Sequence, residues 1–270
     1  MLNILINISE VAILTGDNPY KTKRDYLIEF WKKNNNSDYV KYSTTANFTI
    51  ITDTDVVKNI SSKNNISIEA ELKQCATTTN INDLNRLKEI ITEKTKDLSA
   101  TEKVELNKSV LNITNTKFGI KNETDITKIY ENRIGNSIVK DNKYRKIKLF
   151  ENNLYNLYIG GKIDGIDTKT NTIVEVKNRV NKLFYELRDY EKVQLMCYIY
   201  LFNSTKGDLV EAYKKKDDVS INIISLEYNE DYMMYIVHNL KLFANYYCNF
   251  IECHELKMSI LTCHDEISFE

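Results

Sequence analysis

Ile159-Gly-Gly-Lys-Ile-Asp-Gly-Ile-Asp-Thr-Lys-Thr-Asn-Thr-Ile-Val-Glu-Val-Lys177 is the stretch whose reading decides the fold. Asp167 to Asn171 is polar and turn-forming, and the β-branched residues on either side favour extended backbone, so the stretch predicts a hairpin. With the turn centred between Lys169 and Thr170, Asp164 falls opposite Glu175, and directly opposed residues of paired strands have Cβ atoms about 5 Å apart. Carboxylates that close repel unless a cation lies between them. Lys177 stands two residues beyond Glu175, and the period-2 alternation of a strand points both side chains to one face. The hairpin therefore gathers Asp164, Glu175 and Lys177.

The residue types set the chemistry. Oxygen ligands without His or Cys suit Mg²⁺ or Mn²⁺, which also bind phosphate oxygens. Such an ion polarises a phosphoryl oxygen and lowers the pKa of water, and an ammonium group beside it stabilises developing negative charge. A phosphodiester is the expected substrate, with Lys177 as the catalytic cation. The tripeptide Glu-x-Lys carries nothing alone, because Glu71-Leu-Lys73 and Glu255-Leu-Lys257 occur in the same chain. Neither has a preceding hairpin, an opposed Asp or a run such as Thr-Ile-Val-Glu-Val.

A third carboxylate is expected from Phe118 to Gly135, where Ile126, Tyr130, Ile134 and Ile138 recur at intervals of four and mark the apolar stripe of a helix. At about 100° per residue, Glu123 lies about 20° from Tyr130 on that stripe, whereas Glu131 lies about 80° from Glu123 and flanks it. A carboxylate on an apolar face is costly unless it is paired or binds a metal. Glu123 is the preferred further metal ligand and Glu131 the runner-up. The competing reading is a first-turn Glu that merely complements the helix dipole.

Together these pieces resemble the PD-(D/E)XK nuclease superfamily and, within it, the lambda-exonuclease or YqaJ-like viral recombinase family. Gly119-x-x-x-Glu123 followed by Tyr130-Glu131 and Gly135 resembles the first motif, and this favours Glu123 over Glu131. Asp164-Gly165 and Glu175-Val-Lys177 resemble the second and third motifs. Tyr190-Glu-Lys-Val-Gln-Leu-Met-Cys-Tyr198 resembles the following helix, which gives Gln194 a supporting role near the scissile phosphate. Ile8 to Thr22 is similar to the opening segment, whose Ser holds the 5′-phosphate of a DNA end. Ser9 matches it, although a Ser before an apolar run is also an ordinary helix N-cap. Leu2 stands where the family often has Arg, and Lys162 where it has a small residue before the motif Asp. Ser9, Lys162, Arg179 and Lys182 make up the expected contacts to DNA and its 5′-phosphate. The resemblance implies an α/β (α+β) restriction-endonuclease-like core, a central mixed sheet flanked by helices, binding Mg²⁺ or Mn²⁺ through Glu123, Asp164 and Glu175. It implies a DNA exonuclease acting on linear duplex with free ends, 5′ to 3′, in recombination, repair or viral DNA processing. A single-strand annealing protein is the implied partner, and a homo-oligomer is compatible. The alternatives are a structure-specific or restriction-like endonuclease on the same core, and a nucleic-acid-binding module with a degenerate site.

Composition is compatible with these expectations. A chain of 270 residues, 42% hydrophobic, can bury one sizeable core, and a single domain is expected: a helical insert at 32–116, a catalytic core at 117–228, and a C-terminal helix and tail at 229–270. The formal charge of −1 argues against coating long nucleic acid by bulk electrostatics. Local clustering matters more, and Lys140, Lys143, Arg145, Lys146 and Lys148 precede the hairpin while Arg179, Lys182 and Arg188 follow it. Asn34 to Ser37 reads as a loop, and helices are expected at 83–97, at 101–112 after the Ser99-Ala-Thr-Glu102 capping box, at 186–202 and at 231–254, with strands at 208–213 and 219–228. The five Cys read as reduced thiols, and Cys248, Cys253, His254, Cys263 and His264 lack the close pair of an iron-sulfur or zinc site. Residues 1–14 lack a basic n-region, and no segment is long enough to span a membrane, so an intracellular soluble protein is expected.

Overall fold

Buried Ile4 and Ile6 anchor β1 (Leu2–Asn7) in the core, and α1 (Ile8–Thr15) follows without a gap, ending where Gly16 turns to a left-handed φ of +86°. Thr22 caps α2 (Lys23–Asn34) by accepting the N–H of Asp25 at 3.0 Å. Its inner face carries Tyr26, Phe30 and Trp31 into an aromatic cluster. The loop expected at Asn34 to Ser37 is the single residue Asn35, because α3 (Asn36–Thr45) starts immediately after it. The structure, a computed structural model, describes all residues except 79, 122, 142, 216, 217, 264, 265 and 270, and leaves the side chains of 116–121, 215 and 218 undescribed.

The insert is helical and carries its own apolar cluster. It comprises α4 (Asp53–Asn64), α5 (Glu69–Thr77), α6 (Ile81–Lys94) and α7 (Ala100–Lys121). Val57, Ile60, Ile68, Leu84, Ile91 and Leu106 pack together there, and Val180 from the catalytic region rests against them. The capping box forms as expected: Ser99 donates from both N and Oγ to Glu102, and Glu102 N–H donates back at 3.3 Å. The helix expected across Phe118 to Gly135 is described on either side of residue 122, which lies outside the described residues. α7 runs to Lys121, and α8 (Glu123–Ile134) begins at the expected ligand itself.

Two mixed sheets form the centre. β2 (Ile138–Val139) and β3 (Arg145–Glu151) precede β4 (Tyr155–Gly161), which pairs parallel with β1 and antiparallel with β3. The chain then crosses to the second sheet through Lys162, Ile163 and Asp164. There β5 (Gly165–Asp167) and β6 (Thr172–Arg179) form the hairpin, and β2 adds beside β5. α9 (Asp189–Leu201) returns the chain to β7 (Lys206–Lys215), parallel to β6, and β8 (Asp218–Glu227) closes that edge antiparallel. α10 (Glu230–Glu252) and α11 (His254–Thr262) complete the described fold, so the long helix expected at 231–254 ends just before Cys253.

Both faces of the second sheet are covered, which is why β6 reads as a nearly continuous apolar run. Val174 and Val176 pack toward Ile126 and Tyr130 of α8, while Ile173 joins Leu195 and Ile199 of α9 in the main core. Glu175, Lys177 and Arg179 share the parity of Ile173 and face α9. The architecture is the expected α/β (α+β) class, with mixed sheets flanked by helices. Among the described residues, no helix is long and apolar enough to cross a membrane.

Candidate active site

The hairpin register puts Asp164 and Glu175 on one rung. Gly165 pairs with Val174, Ile166 with Ile173 and Asp167 with Thr172, and the same register extended by one residue sets Asp164 opposite Glu175. Asp167 builds the turn: its Oδ1 accepts the N–H of Lys169 at 2.9 Å, its Oδ2 accepts from Thr170 Oγ1, and Asn171 takes the left-handed φ of +54°. Asp164 Oδ2 accepts the Val176 N–H at 2.7 Å, which locks its carboxylate onto β6. Gly165 is required by close packing, because a Cβ there would lie 2.2 Å from Ile138 Cγ2.

Glu175 is the buried centre of the site. Lys177 Nζ donates to its Oε1 at 2.8 Å, and Gln194 Nε2 donates to the same oxygen at 2.9 Å. Gln194 Oε1 in turn accepts from Lys177 Nζ at 3.3 Å. Burial, reinforced by the charge of Asp164, pushes the Glu175 carboxyl up to about 7 against the pull of Lys177. Burial also raises Asp164, with Glu123 adding to the rise. Glu123 is raised by burial and by the charge of Glu175, while Lys140 and Lys177 oppose the shift. Burial pulls Lys177 down, but the adjacent Glu175 outweighs it and holds the ammonium above its ordinary value. Three carboxylates therefore feel one another's charge at the junction of β5, β6 and the start of α8.

Their oxygen-only donor set suits Mg²⁺ or Mn²⁺. Among the described residues, no three His, Cys, Asp or Glu side chains approach closely enough to surround an ion. Mg²⁺ is commonly held by one or two carboxylates, with water and substrate phosphate completing its shell, and the opposed pair Asp164 and Glu175 meets that requirement.

The other expected site residues separate into distinct groups. Glu131 accepts the Ile138 N–H at 2.6 Å, so its carboxylate anchors β2 to α8. Arg179 is a correction. It is buried, pairs bidentately with Glu191 at 2.7 and 3.1 Å, and donates from Nε to Glu211 at 3.0 Å; all its charge is consumed inside the fold. Lys162 and Lys182 are exposed. Ser9 is exposed as the second residue of α1, and Asn7, not Ser9, occupies the N-cap position. Ser9 lines a cleft of about 1030 Å³ with Glu10, Asp25, Glu29 and Asp53, in which Lys21 is already paired with Glu29. Lys162, Arg179 and Lys182 do not line it, and its acidic walls oppose a phosphate.

Of the basic run before the hairpin, Lys140 faces the carboxylates and donates to Thr124 Oγ1 at 2.8 Å beside Glu123. Arg145 and Lys148 are paired with Asp141 and Glu151. Two features had no assigned role in the sequence. Tyr198 on α9, which closes the segment resembling the family's helix, hydrogen-bonds Gln194 and is raised by burial and by Glu175 and Asp164; its four-residue spacing from Gln194 was the available signal. The buried Arg179–Glu191–Glu211 network had none. His254 meets the Tyr42 hydroxyl at 3.0 Å, and His264 lies outside the described residues.

The chain matches no protein-family model and no curated protein. It is similar to a phage-related exonuclease of known structure from Haemophilus somnus 129PT, with 14% identity, a TM-score of 0.40, and coverage of 60% of this chain and 87% of that one. An alkaline exonuclease from Laribacter hongkongensis gives 14% identity, a TM-score of 0.41, and coverage of 68% and 88%. The latter solved in complex with dAMP gives 15% identity and a TM-score of 0.41, over 58% of this chain and 85% of that one.

Proposed function

We propose that this chain is a metal-dependent deoxyribonuclease, an exonuclease that hydrolyses phosphodiester bonds of linear duplex DNA. The observation that supports the reading best is the buried Glu175, hydrogen-bonded to both Lys177 and Gln194 and opposed across the hairpin by Asp164. A buried charged cluster of this kind has no packing rationale, since apolar residues of similar volume are as stabilising or more so. A carboxylate pushed up by burial as Glu175 is, with Asp164 and Glu123 raised beside it at a strand junction, marks chemistry instead.

Asp164 and Glu175 would hold Mg²⁺ or Mn²⁺, whose chemistry is to polarise a phosphoryl oxygen and lower the pKa of water, and Glu123, which interacts by charge with both carboxylates, is the proposed further ligand. The chain's own groups do the positioning. Lys177 is fixed by the two hydrogen bonds it donates, to Glu175 on β6 and Gln194 on α9, so its ammonium is pre-oriented toward negative charge developing on the phosphate. Gln194 clamps Glu175 and Lys177 at a set separation. Lys140 supplies a further positive charge beside Glu123 for backbone phosphate.

Polarity, 5′ to 3′, comes from the resemblance alone, as do roles in recombination or repair, a single-strand annealing partner and a homo-oligomer. Lys162, Lys182 and Lys140 are the proposed phosphate contacts. End-labelled linear duplex and covalently closed circular DNA, each with Mg²⁺, with Mn²⁺ and with chelator, test the reading together. Digestion of the linear form alone, abolished by chelator, is expected; cutting of circles would replace the exonuclease with an endonuclease, and no cleavage of either would overturn the enzyme.

A further inference from the structure

The segment 180–188 joins the end of β6 to α9, and so lies between two side chains that are hydrogen-bonded to each other, Lys177 and Gln194. Within it Tyr185 has a φ of +61°, a left-handed conformation unfavourable for a bulky residue with a Cβ. Such backbone persists only where its surroundings over-determine it, and it concentrates at binding and catalytic sites. Here the surroundings are specific. Glu211, wholly buried on β7, accepts the N–H of Phe184 at 3.0 Å and of Tyr185 at 2.7 Å, while also taking Arg179 Nε and Asn222 Nδ2. The Phe184 ring is held between the guanidinium groups of Arg179 at 4.3 Å and Arg188 at 4.2 Å.

All of these contacts fix the backbone, and none uses the Tyr185 ring, which is left 71% exposed. The fold thus holds a strained turn in place and displays an aromatic face in water at its tip. Exposed Lys182 and exposed Arg188 flank it, Lys182 as a cation toward solvent and Arg188 in a solvent-facing pair with Glu186 at 3.4 Å. A rigid aromatic beside cations is the arrangement that stacks an unpaired nucleobase, since every base has a π-face and neighbouring cations neutralise the phosphates.

We propose that Tyr185 is a stacking platform for an unpaired base of a bound DNA strand, held next to the active site by the Glu211–Arg179 network. This rests on the nuclease reading for the identity of the strand. Binding of a short fluorescent single-stranded oligonucleotide, measured by anisotropy in chelator so that nothing is cut, tests it alongside thermal unfolding. Tyr185→Ala is expected to weaken binding about 5- to 150-fold, the range for loss of one base-aromatic stack, and Tyr185→Phe to bind within about 2-fold of wild type. Tyr185→Gly should weaken binding similarly while raising Tm, because Gly accepts the positive φ without strain; lost affinity accompanied by lost stability would overturn the proposal in favour of a structural Tyr. Wild-type protein that binds and cuts DNA with Tyr185→Ala unchanged would overturn this inference alone. Wild-type protein that neither binds nor cuts would overturn the nuclease reading and this inference with it.

Discussion

Gln194 on α9 donates from Nε2 to Glu175 Oε1 over 2.9 Å, across the interface between helix and central strand. Because Gln194 Oε1 also accepts from Lys177, one amide sets the separation of the two groups proposed to act on the phosphate. Gln194→Ala should lower kcat about 10- to 100-fold, the usual cost of losing a group that orients a ligand, with Tm nearly unchanged. Steady-state cleavage of linear duplex checks it; a loss confined to KM would move Gln194 from positioning to substrate binding.

Glu123 and Glu131 should separate cleanly. Glu123 faces the carboxylate pair electrostatically, whereas Glu131 is spent on the Ile138 N–H. Glu123→Gln is expected to raise the Mg²⁺ concentration needed for half-maximal activity at least about 10-fold, and Glu131→Gln to lower stability by about 1 kcal/mol with activity retained. A metal titration of both variants decides it, the reverse ranking transferring the ligand role to Glu131.

Gly165→Ala should destabilise by about 1–3 kcal/mol, the cost of overpacking, because the new methyl would lie 2.2 Å from Ile138 Cγ2. Adding Ile138→Ala removes the obstructing atom and should recover part of the loss. Urea unfolding of the two single variants and the double variant measures the coupling, and strict additivity would show that the contact is relieved some other way.

Glu211 supplies a pH dependence with a definite sign. Burial raises its carboxyl, but the N–H groups of Phe184 and Tyr185 together with Asn222 and Arg179 outweigh it and hold it below the ordinary value of 4.5. A depressed carboxylate contributes stability that is present above the unfolded pKa and lost as pH falls through the folded one. Glu211→Gln should therefore cost about 1–3 kcal/mol at pH 7, where Arg179 keeps Glu191 but meets a neutral group in place of its second carboxylate. The gap between variant and wild type should narrow below about pH 4.5, the Glu reference value. Equal denaturation profiles at pH 7 would remove the network from the account.

The hairpin was legible because two local signals agree: polar turn residues at 167–171, and β-branched strands whose parity fixes the register. Glu123 was legible from helical angle, since Glu123, Ile126 and Tyr130 keep their spacing within α8. Arg179 was misread because nothing near it in sequence reveals its partners, Glu191 and Glu211, which arrive from α9 and β7. Basic residues next to a phosphate site look alike whether they face solvent or the interior. The insert at 32–116 was expected to be helical, but α3, α4 and α5 were not delimited within it. Each is short and polar, burying only a few apolar side chains apiece, such as Tyr39 and Tyr42, Val57 and Ile60, or Cys75, too weak a stripe to stand out before tertiary packing selects it.

The central claim is that Asp164, Glu175 and Lys177 are gathered for phosphodiester hydrolysis and not for stability. The most direct test is digestion of end-labelled linear duplex DNA in Mg²⁺ by wild type, Asp164→Asn and Lys177→Ala, with thermal unfolding of each in chelator. Both variants should lose at least about 10²-fold in rate. Asp164→Asn should unfold at the same temperature as wild type or higher, because burial and the charge of Glu123 already disfavour its ionised form. Cleavage at the wild-type rate by both variants, or unfolding of Asp164→Asn at markedly lower temperature, would contradict the account.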